Sequence, residues 1–322
     1  MPKHEQVLER LAQIPTLQIA QDAALARYTR FGLGGPADVY AETDRVEPFV
    51  EALKAVRASG VPHAVIGSGT NLVVSDDGFR GVVLRFTART VSVANGIVSA
   101  YAGAELQDVI DCAIANGLKG IETMAGIPGS LGAAVYGNAG AYGHSISEVV
   151  RKVRFFDGDC ERVISNAECE FRYRESVFKR HKQWIIFSAD LALVPAPAEE
   201  LRRTADDIVA VRNAKFPPTM KCAGSVFKNL LLAELPETAA ARVPEKVVKE
   251  GKVPAAFFLE QAGAKGVTRG GIHVADYHAN LIYNTGAGTA RDLIEVITEL
   301  KQRVRGQFGV ELEEEVQYVG FE

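Results

Sequence analysis

Cysteine is scarce here: Cys112, Cys160, Cys169 and Cys222 are the four in 322 residues, and no two of them form a Cys-x-x-Cys pair. That spacing excludes a zinc knuckle and a secreted disulfide framework, and leaves reduced, mostly buried thiols as the expectation. An excess of one charge sign is lacking too. Thirty-six Lys and Arg stand against 40 Asp and Glu, a formal charge of −4. No global positive field exists to neutralise a phosphate backbone, so nucleic acid is not expected as a partner. No stretch approaches the roughly 18 apolar residues a membrane span needs. Lys3, His4, Glu5, Glu9 and Arg10 break up the opening segment where a signal peptide would be uniformly apolar. The expected compartment is the cytoplasm. Solenoid-period repeats and low-complexity tracts are also missing.

What is present is an ordinary globular composition, 47% hydrophobic and 24% charged, long enough at roughly 150 residues per domain for about two domains. Val46, Phe49, Val50, Leu53 and Val56 recur at helical spacing, so a helix is expected over about Val46 to Ser59, with Asp44 near its start and Gly60 and Pro62 at its stop. Short apolar runs at His63 to Ile66, Leu72 to Val74 and Gly81 to Phe86 read as strands, with Asp77-Gly78 as a tight turn. Thr90 to Ala94 and Ile97 to Tyr101 alternate around Asn95-Gly96, the dipeptide suited to a two-residue hairpin turn. A second helix carries Leu106, Val109, Ile110, Ala113 and Ile114 on one face and ends at Gly117. Strands are expected again at Val149 to Phe156, Arg162 to Ile164 and Trp184 to Val194. Pro195-Ala196-Pro197 reads as a linker, followed by a helix from Ala198 to about Asn213. A long helix from Thr289 presents Leu293, Val296, Ile297, Leu300, Val304 and Phe308, is closed by Gly309, and precedes an alternating last strand, Val310 to Val319. Strands and helices interleave, which gives a mixed α and β class in two unequal parts.

Glycine is where the sequence becomes specific. Val65-Ile66-Gly67-Ser68-Gly69-Thr70-Asn71-Leu72 sets a Gly-x-Gly directly after a strand, where bare backbone amides can approach a phosphate. A doubly wound dinucleotide fingerprint would need a third glycine opening a helix, but Leu72-Val73-Val74 continues as strand, and no Gly-Lys-Ser/Thr follows. By itself the segment is as readily a strand-to-strand turn. The second run is denser: eight glycines fall between Gly117 and Gly143, in 27 residues, where average usage predicts roughly two. Each glycine costs conformational entropy on folding, so such a cluster is best explained where the backbone must come close to something planar or anionic. Two glycine loops on a strand-rich frame suggest a pyrophosphate-bearing cofactor held largely by main-chain donors.

The order of motifs then carries a resemblance. Tyr28-Thr-Arg-Phe31-Gly-Leu-Gly34-Gly35-Pro36-Ala37-Asp38 is followed by the Gly67 to Leu72 loop, Ala125-Gly-Ile-Pro-Gly129 and Asn138-Ala-Gly-Ala-Tyr142-Gly143. Later come Phe171-Arg-Tyr173-Arg174-Glu-Ser176-Val-Phe178, Ala223-Gly224-Ser225-Val-Phe-Lys228-Asn229, Glu260-Gln261-Ala-Gly263, His278-Ala-Asn280 and Leu312-Glu-Glu-Glu315-Val316. Over nearly the whole chain this resembles the UDP-N-acetylenolpyruvoylglucosamine reductases of peptidoglycan synthesis. The resemblance implies an α+β fold: an FAD-binding domain of the vanillyl-alcohol oxidase type over about 20–195, in two α/β lobes (about 20–86 and 87–195). A C-terminal α+β substrate-binding domain over 200–322 would follow, its last strand returning to the FAD domain. It implies FAD held by Gly67, Ser68, Gly69, Thr70, Asn71 and Leu72 and by Ile127, Pro128, Gly129, Ser130, Gly132, Asn138 and Gly140. NADPH would be the electron source, a nucleotide sugar the substrate, no metal would be needed, and the chain would act as a monomer. Gly137 stands where the family often has Met, Leu230 where it has Pro, and the stretch Leu231 to Pro254 looks extended. The short connection from Phe178 to Ser225 resembles the subgroup without an inserted tyrosine-bearing loop.

Such an enzyme reduces an enolpyruvyl ether to a lactyl ether, so the protein must stabilise negative charge building on the carboxylate side and deliver a proton to the carbon beside it. The resemblance assigns the first task to Arg174, whose guanidinium can grip a carboxylate with two parallel hydrogen bonds. Spacing alone would make it part of a solvated basic run with Arg172, Lys179, Arg180 and Lys182. Glu315 is expected on the strand face shared with Glu311 and Glu313, opposite Val310, Leu312, Val316 and Tyr318. Solvent is the plain destination of that face, yet a carboxyl held protonated against the substrate could donate to the developing enolate. Motif alignment selects Glu315 over Glu313. Ser225 is the candidate proton donor. A serine after glycine is commonly a turn residue, and no Gly-x-Ser-x-Gly elbow surrounds this one. Lys228 and Asn229 would bind the diphosphate or carboxylate, and Tyr173 would pack beside the substrate. Two alternatives stand beside this reading: an FAD-dependent sugar or alcohol oxidase of the same fold, and a catalytically inactive nucleotide-sugar-binding protein. The oxidases often attach flavin through a His in the first loop, which here reads Ser68-Gly69-Thr70, and joint retention of Arg174, Ser225 and Glu315 argues against the second.

Overall fold

A computed structural model describes residues 3–321, the side chains of residues 3 and 4 excepted. Local residue choice accounts for most of its elements. Val46, Phe49, Leu53 and Val56 are all buried along one side of the helix Val46–Ser59, and Gly60 ends it in the left-handed conformation, φ 67°. The strands Val91–Ala94 and Ile97–Tyr101 pair with Ala94 opposite Ile97. Asn95 (φ 52°) and Gly96 (φ 75°) supply the two positive φ values of their turn.

The chain divides into two compact units that do not follow sequence order. The first takes the chain up to Ala23, then Ala37–Ser68 and Arg80–Pro218; the second takes Ala24–Pro36, Gly69–Phe79 and everything from Thr219.

The first unit is built on two sheets. One has the order Gln18–Ala24, Pro36–Thr43, Phe79–Phe86, His63–Ile66, its last two strands parallel. The other is antiparallel, in the order Glu161–Ser165, Val150–Phe156, Ile185–Ala192, Ile97–Tyr101, Val91–Ala94. Phe49, Phe86 and Phe187 meet edge to face with ring centroids 5.1–6.0 Å apart, so the two sheets share one core. Each such pair contributes about 0.5–1.5 kcal/mol beyond its burial. The expected linker at Pro195 to Pro197 is more ordered than a linker: Val194–Pro195 pairs antiparallel with Leu118–Lys119, and the Ala196 amide donates to Gly117 O at 2.8 Å. Proline is tolerated there because the pair is only two residues long and lies at an edge. The following helix runs Ala198–Lys215.

The second unit carries an antiparallel sheet, Lys221–Ser225, His278–Asn284, Ile272–Ala275, Thr268–Arg269. The helix Ala255–Gln261 packs on its His278–Asn284 strand. The long helix Ala290–Phe308 buries Leu293, Val296, Ile297, Leu300, Val304 and Phe308, the face expected from the sequence, at roughly 1.5–3 kcal/mol per fully buried large apolar side chain. Thr289 and Asp292 form a reciprocal capping box at its start. The stretch Leu231 to Pro254 folds back on itself, closed by the pairing of Leu230–Leu231 with Lys252–Val253.

The expected last strand needs correction. Only Gln317–Val319 is strand, parallel to Leu72–Val74; Glu314 makes an isolated antiparallel bridge with Phe227. Val310, Leu312 and Val316 are buried as the alternation requires, but Tyr318 is exposed. The tail changes partner between Glu314 and Gln317, and the change of partner breaks the two-residue period. The thiols also differ from the expectation of mostly buried groups. All four are free, but only Cys169 and Cys222 are buried; Cys112 is half-buried and Cys160 exposed. Among the described residues no helix is long and apolar enough to cross a membrane, and no group of His, Cys, Asp and Glu could hold a metal ion.

Candidate active site

In the first unit the second glycine run is stitched to the segment that precedes the helix Leu106–Ala115. The Leu106 amide donates to Gly129 O (2.8 Å), Leu131 to Ala104 O (2.8 Å) and Gly132 to Ala102 O (2.9 Å). A Cβ on Gly132 would lie 2.8 Å from Ala102 Cβ, so a side chain there would push the run off its support. Ile127 and Pro128 lie between Gly126 (φ 74°) and Gly129 (φ 122°). Ser130 is buried and caps the helix Leu131–Tyr136. A Cβ on Gly67 would sit 3.4 Å from Ser130 Oγ, so the second run meets Gly67 through the Ser130 hydroxyl. Among the described residues the main-chain amides of Gly67, Gly129 and Ser130 have no acceptor. Loop amides without an acceptor, next to glycines that leave the backbone bare, fit an anionic group held by main-chain donors.

Asn138 and Gly140 join this run to the arginine motif. Asn138 is buried at φ 43°; its Nδ2 donates to Arg172 O at 2.8 Å, and its Oδ1 accepts from the Ser147 amide at 3.2 Å. Arg174 Nη2 donates to Gly140 O at 3.1 Å, and its guanidinium lies 5.2 Å from the centroid of Tyr173. Arg174 takes φ 56°, uncommon for any residue but glycine, and its carbonyl accepts from Lys179 Nζ at 2.7 Å. The fully buried Ser176 hydroxyl donates to Tyr136 O at 2.7 Å. The basic run is therefore not one solvated face: Arg172 and Arg180 are exposed, while Arg174 and Lys179 are half-buried and fixed.

In the second unit Ser225 ends the strand Lys221–Ser225 opposite Leu281, just past a register shift and next to Gly224 at φ 80°. The residues after it are held on two sides. Asn280, buried in the neighbouring strand, accepts from the Phe227 amide through Oδ1 and donates to Phe227 O through Nδ2, both at 2.9 Å, and its own carbonyl accepts from Val226 at 3.1 Å. On the other side the Lys228 amide donates to Glu313 O (2.9 Å) and the Glu315 amide to Val226 O (2.7 Å). Ser225 and Glu315, distant in sequence, thereby stand on adjacent chain segments. Lys228 is almost fully buried and its ammonium pairs with the exposed carboxylate of Glu313. Asn229 Oδ1 accepts from the Ala255 amide at 3.4 Å. The first glycine loop enters this unit at Gly69 (φ 72°), where a Cβ would lie 1.6 Å from Tyr28 O, and Arg30 donates to Gly69 O at 3.3 Å. Thr70 precedes Asn71, whose Nδ2 donates to Glu315 O at 2.8 Å, and Leu72 starts the strand that pairs with Gln317. The clamp at Asn280 and the pairing of Lys228 with Glu313 were not read from the sequence. An amide inside the apolar run around Leu281 and Ile282 was the available signal for the first; an ion pair between distant residues gives none.

Residues 37–165 match the FAD binding domain family. Fold and loops together thus define an FAD-binding protein of mixed α and β structure, with a first domain of the vanillyl-alcohol oxidase type, as the sequence suggested. Residues 216–319 match the UDP-N-acetylenolpyruvoylglucosamine reductase, C-terminal domain. The UDP-N-acetylenolpyruvoylglucosamine reductase of Solibacter usitatus is 64% identical over 311 residues, 97% of this chain and 100% of that one. The protein of the same name from Caldanaerobacter subterraneus is 35% identical, over 92% of each chain. The crystal structure of UDP-N-acetylenolpyruvylglucosamine reductase from Thermus caldophilus superposes with a TM-score of 0.71 at 28% identity, covering 94% of this chain and 98% of that one. The chain belongs to the UDP-N-acetylenolpyruvoylglucosamine reductase family.

Proposed function

We propose that the chain reduces UDP-N-acetylglucosamine enolpyruvate to UDP-N-acetylmuramate at a tightly but non-covalently bound FAD, with NADPH as electron source, in the cytoplasm and as a monomer. Neither nucleic acid nor a membrane takes part. FAD binding falls to residues 20–195, and substrate binding to 200–322 together with Tyr173 and Arg174 of the first part. The observation that carries the reading is the pairing of the Glu315 amide with Val226 O, the residue after Ser225, at 2.7 Å, in a chain that its reported relatives cover to 92–97%. When bound, FAD supplies the hydride step, from NADPH to the vinyl carbon.

The remaining chemistry belongs to side chains. Arg174 holds the substrate carboxylate and stabilises the negative charge that builds there; its contacts to Gly140 O and Tyr173 pre-orient the guanidinium. Glu315 donates to the same developing enolate. Ser225 delivers the proton to the carbon that carries the ether oxygen. Lys228 and Asn229 contact the diphosphate or carboxylate, and Tyr173 packs beside the substrate. The main chain of Gly67 to Leu72 and of Ile127 to Gly132, with Asn138 and Gly140, surrounds the cofactor.

The purified protein is expected to be yellow and to release free FAD on acid precipitation. Anaerobic NADPH oxidation should depend on the enolpyruvyl nucleotide sugar. A colourless protein that also fails to take up FAD ends this reading; oxygen-dependent turnover of a simple sugar, with no response to the nucleotide sugar, replaces it with the oxidase.

A further inference from the structure

Glu315 has both of its main-chain groups engaged by segments far away in sequence. Its amide donates to Val226 O at 2.7 Å, and its carbonyl accepts from Asn71 Nδ2 at 2.8 Å. Two residues on, the Gln317 amide donates to Asn71 O at 2.9 Å. Asn71 thus brackets Val316, holding the tail by a side-chain bond before it and a main-chain bond after it, and the parallel pairing of Gln317–Val319 with Leu72–Val74 continues from there. Gln317 Nε2 also reaches Glu315 O, at 3.3 Å. That donor is on the tail itself and cannot fix the tail to anything else.

The first glycine loop was expected to place Asn71 among the cofactor contacts. Its side-chain amide is instead turned to Glu315. We infer that Asn71 is a positioning residue: its side chain fixes the backbone of Glu315 on the side opposite Ser225, and so aims the Glu315 carboxyl. The inference rests on the reading of Glu315 as the group that stabilises the enolate. An asparagine suits the task because it presents an N–H to the carbonyl; aspartate, the same size, would turn an acceptor toward an acceptor. The main-chain amide of Asn71 has no acceptor among the described residues and remains available to a cofactor.

The test uses the FAD-loaded enzyme and treats the two half-reactions separately. In Asn71→Asp and Asn71→Ala, reduction of FAD by NADPH and the FAD dissociation constant should stay within about twofold of wild type. Reoxidation by the enolpyruvyl nucleotide sugar should slow by about 10- to 100-fold, the usual effect of misplacing a reacting group by about an ångström. If Asn71 acts through Glu315, the double variant Asn71→Ala with Glu315→Ala should be no slower than Glu315→Ala alone. Weakened FAD binding, equal slowing of both half-reactions, additive loss in the double variant, or failure of both single variants to fold each overturn the inference. A slow Glu315→Ala beside a normal Asn71→Asp sinks the inference and leaves the reductase reading standing. A wild type that is not reoxidised by the nucleotide sugar sinks the reading itself.

Discussion

Ser225 is the residue at which a chemical role and a structural one separate most cleanly. Hydride reaches the flavin without a proton at the substrate carbon, so Ser225→Ala should leave FAD reduction by NADPH near normal. Stopped-flow reoxidation by the enolpyruvyl substrate should slow by at least about 10²-fold, the lower end of general acid catalysis. Equal slowing of both steps would make Ser225 a loop residue. The thiols give a second prediction at this scale. Burial pushes the Cys169 thiol up to about 12, with Glu168 adding to the effect, and Cys222 is buried as well. A thiol-specific reagent at neutral pH should label the exposed Cys160 first, and Cys169 and Cys222 only after unfolding; fast labelling of Cys169 in the native protein would contradict its burial. The motif around Arg174 stands out in the sequence, but the left-handed backbone of Arg174 does not, because arginine at positive φ leaves no mark in composition or period. The pairing of the Lys228 ammonium with Glu313 could not be read in advance; a partner so distant in sequence has no local signature.

Elements with a period or a stop signal were readable nearly to the residue. The helix Val46–Ser59 and the strands His63–Ile66 and Ile97–Tyr101 have the bounds their patterns imply. The tail from Val310 was not, because alternation reports which side chains are buried and not which strand they pair with. The start of the long helix offers a quantitative check. Thr289 Oγ1 accepts from the Asp292 amide at 3.0 Å, while Asp76 accepts from Ala290 at 2.8 Å and Arg291 at 2.9 Å. Thr289→Ala should cost about 1 kcal/mol in urea unfolding, in the usual range for a lost N-cap. Asp76→Ala should cost at least as much, since two helix amides lose a charged acceptor. Glycines separate in the same way. Gly60→Ala meets nothing within 4 Å and carries only the strain of φ 67°, about 1 kcal/mol. Gly69→Ala would put a Cβ 1.6 Å from Tyr28 O and should prevent the loop from forming.

At the scale of the molecule, two domains and their class could be read from length and pattern, but the threading could not. The second unit borrows Ala24–Pro36 and Gly69–Phe79 from early in the chain, and sequence order gives no hint of that loan. A fragment of residues 219–322 lacks Asp76 for its long helix, Leu72–Val74 for its last strand, and Phe31, whose carbonyl accepts from buried Asn284 at 2.9 Å. It should show no cooperative unfolding transition; a sharp one would mean that the early segments are dispensable. The pairing of Leu72–Val74 with Gln317–Val319 also sets a timetable for birth on the ribosome. At about 5–20 residues per second, the early strand waits roughly 12–50 s for a partner that is translated almost last. Throughout that interval Leu72, Val73 and Val74 offer an open ladder edge to any passing chain, so nascent copies released before their final residues should be the ones that chaperones retain.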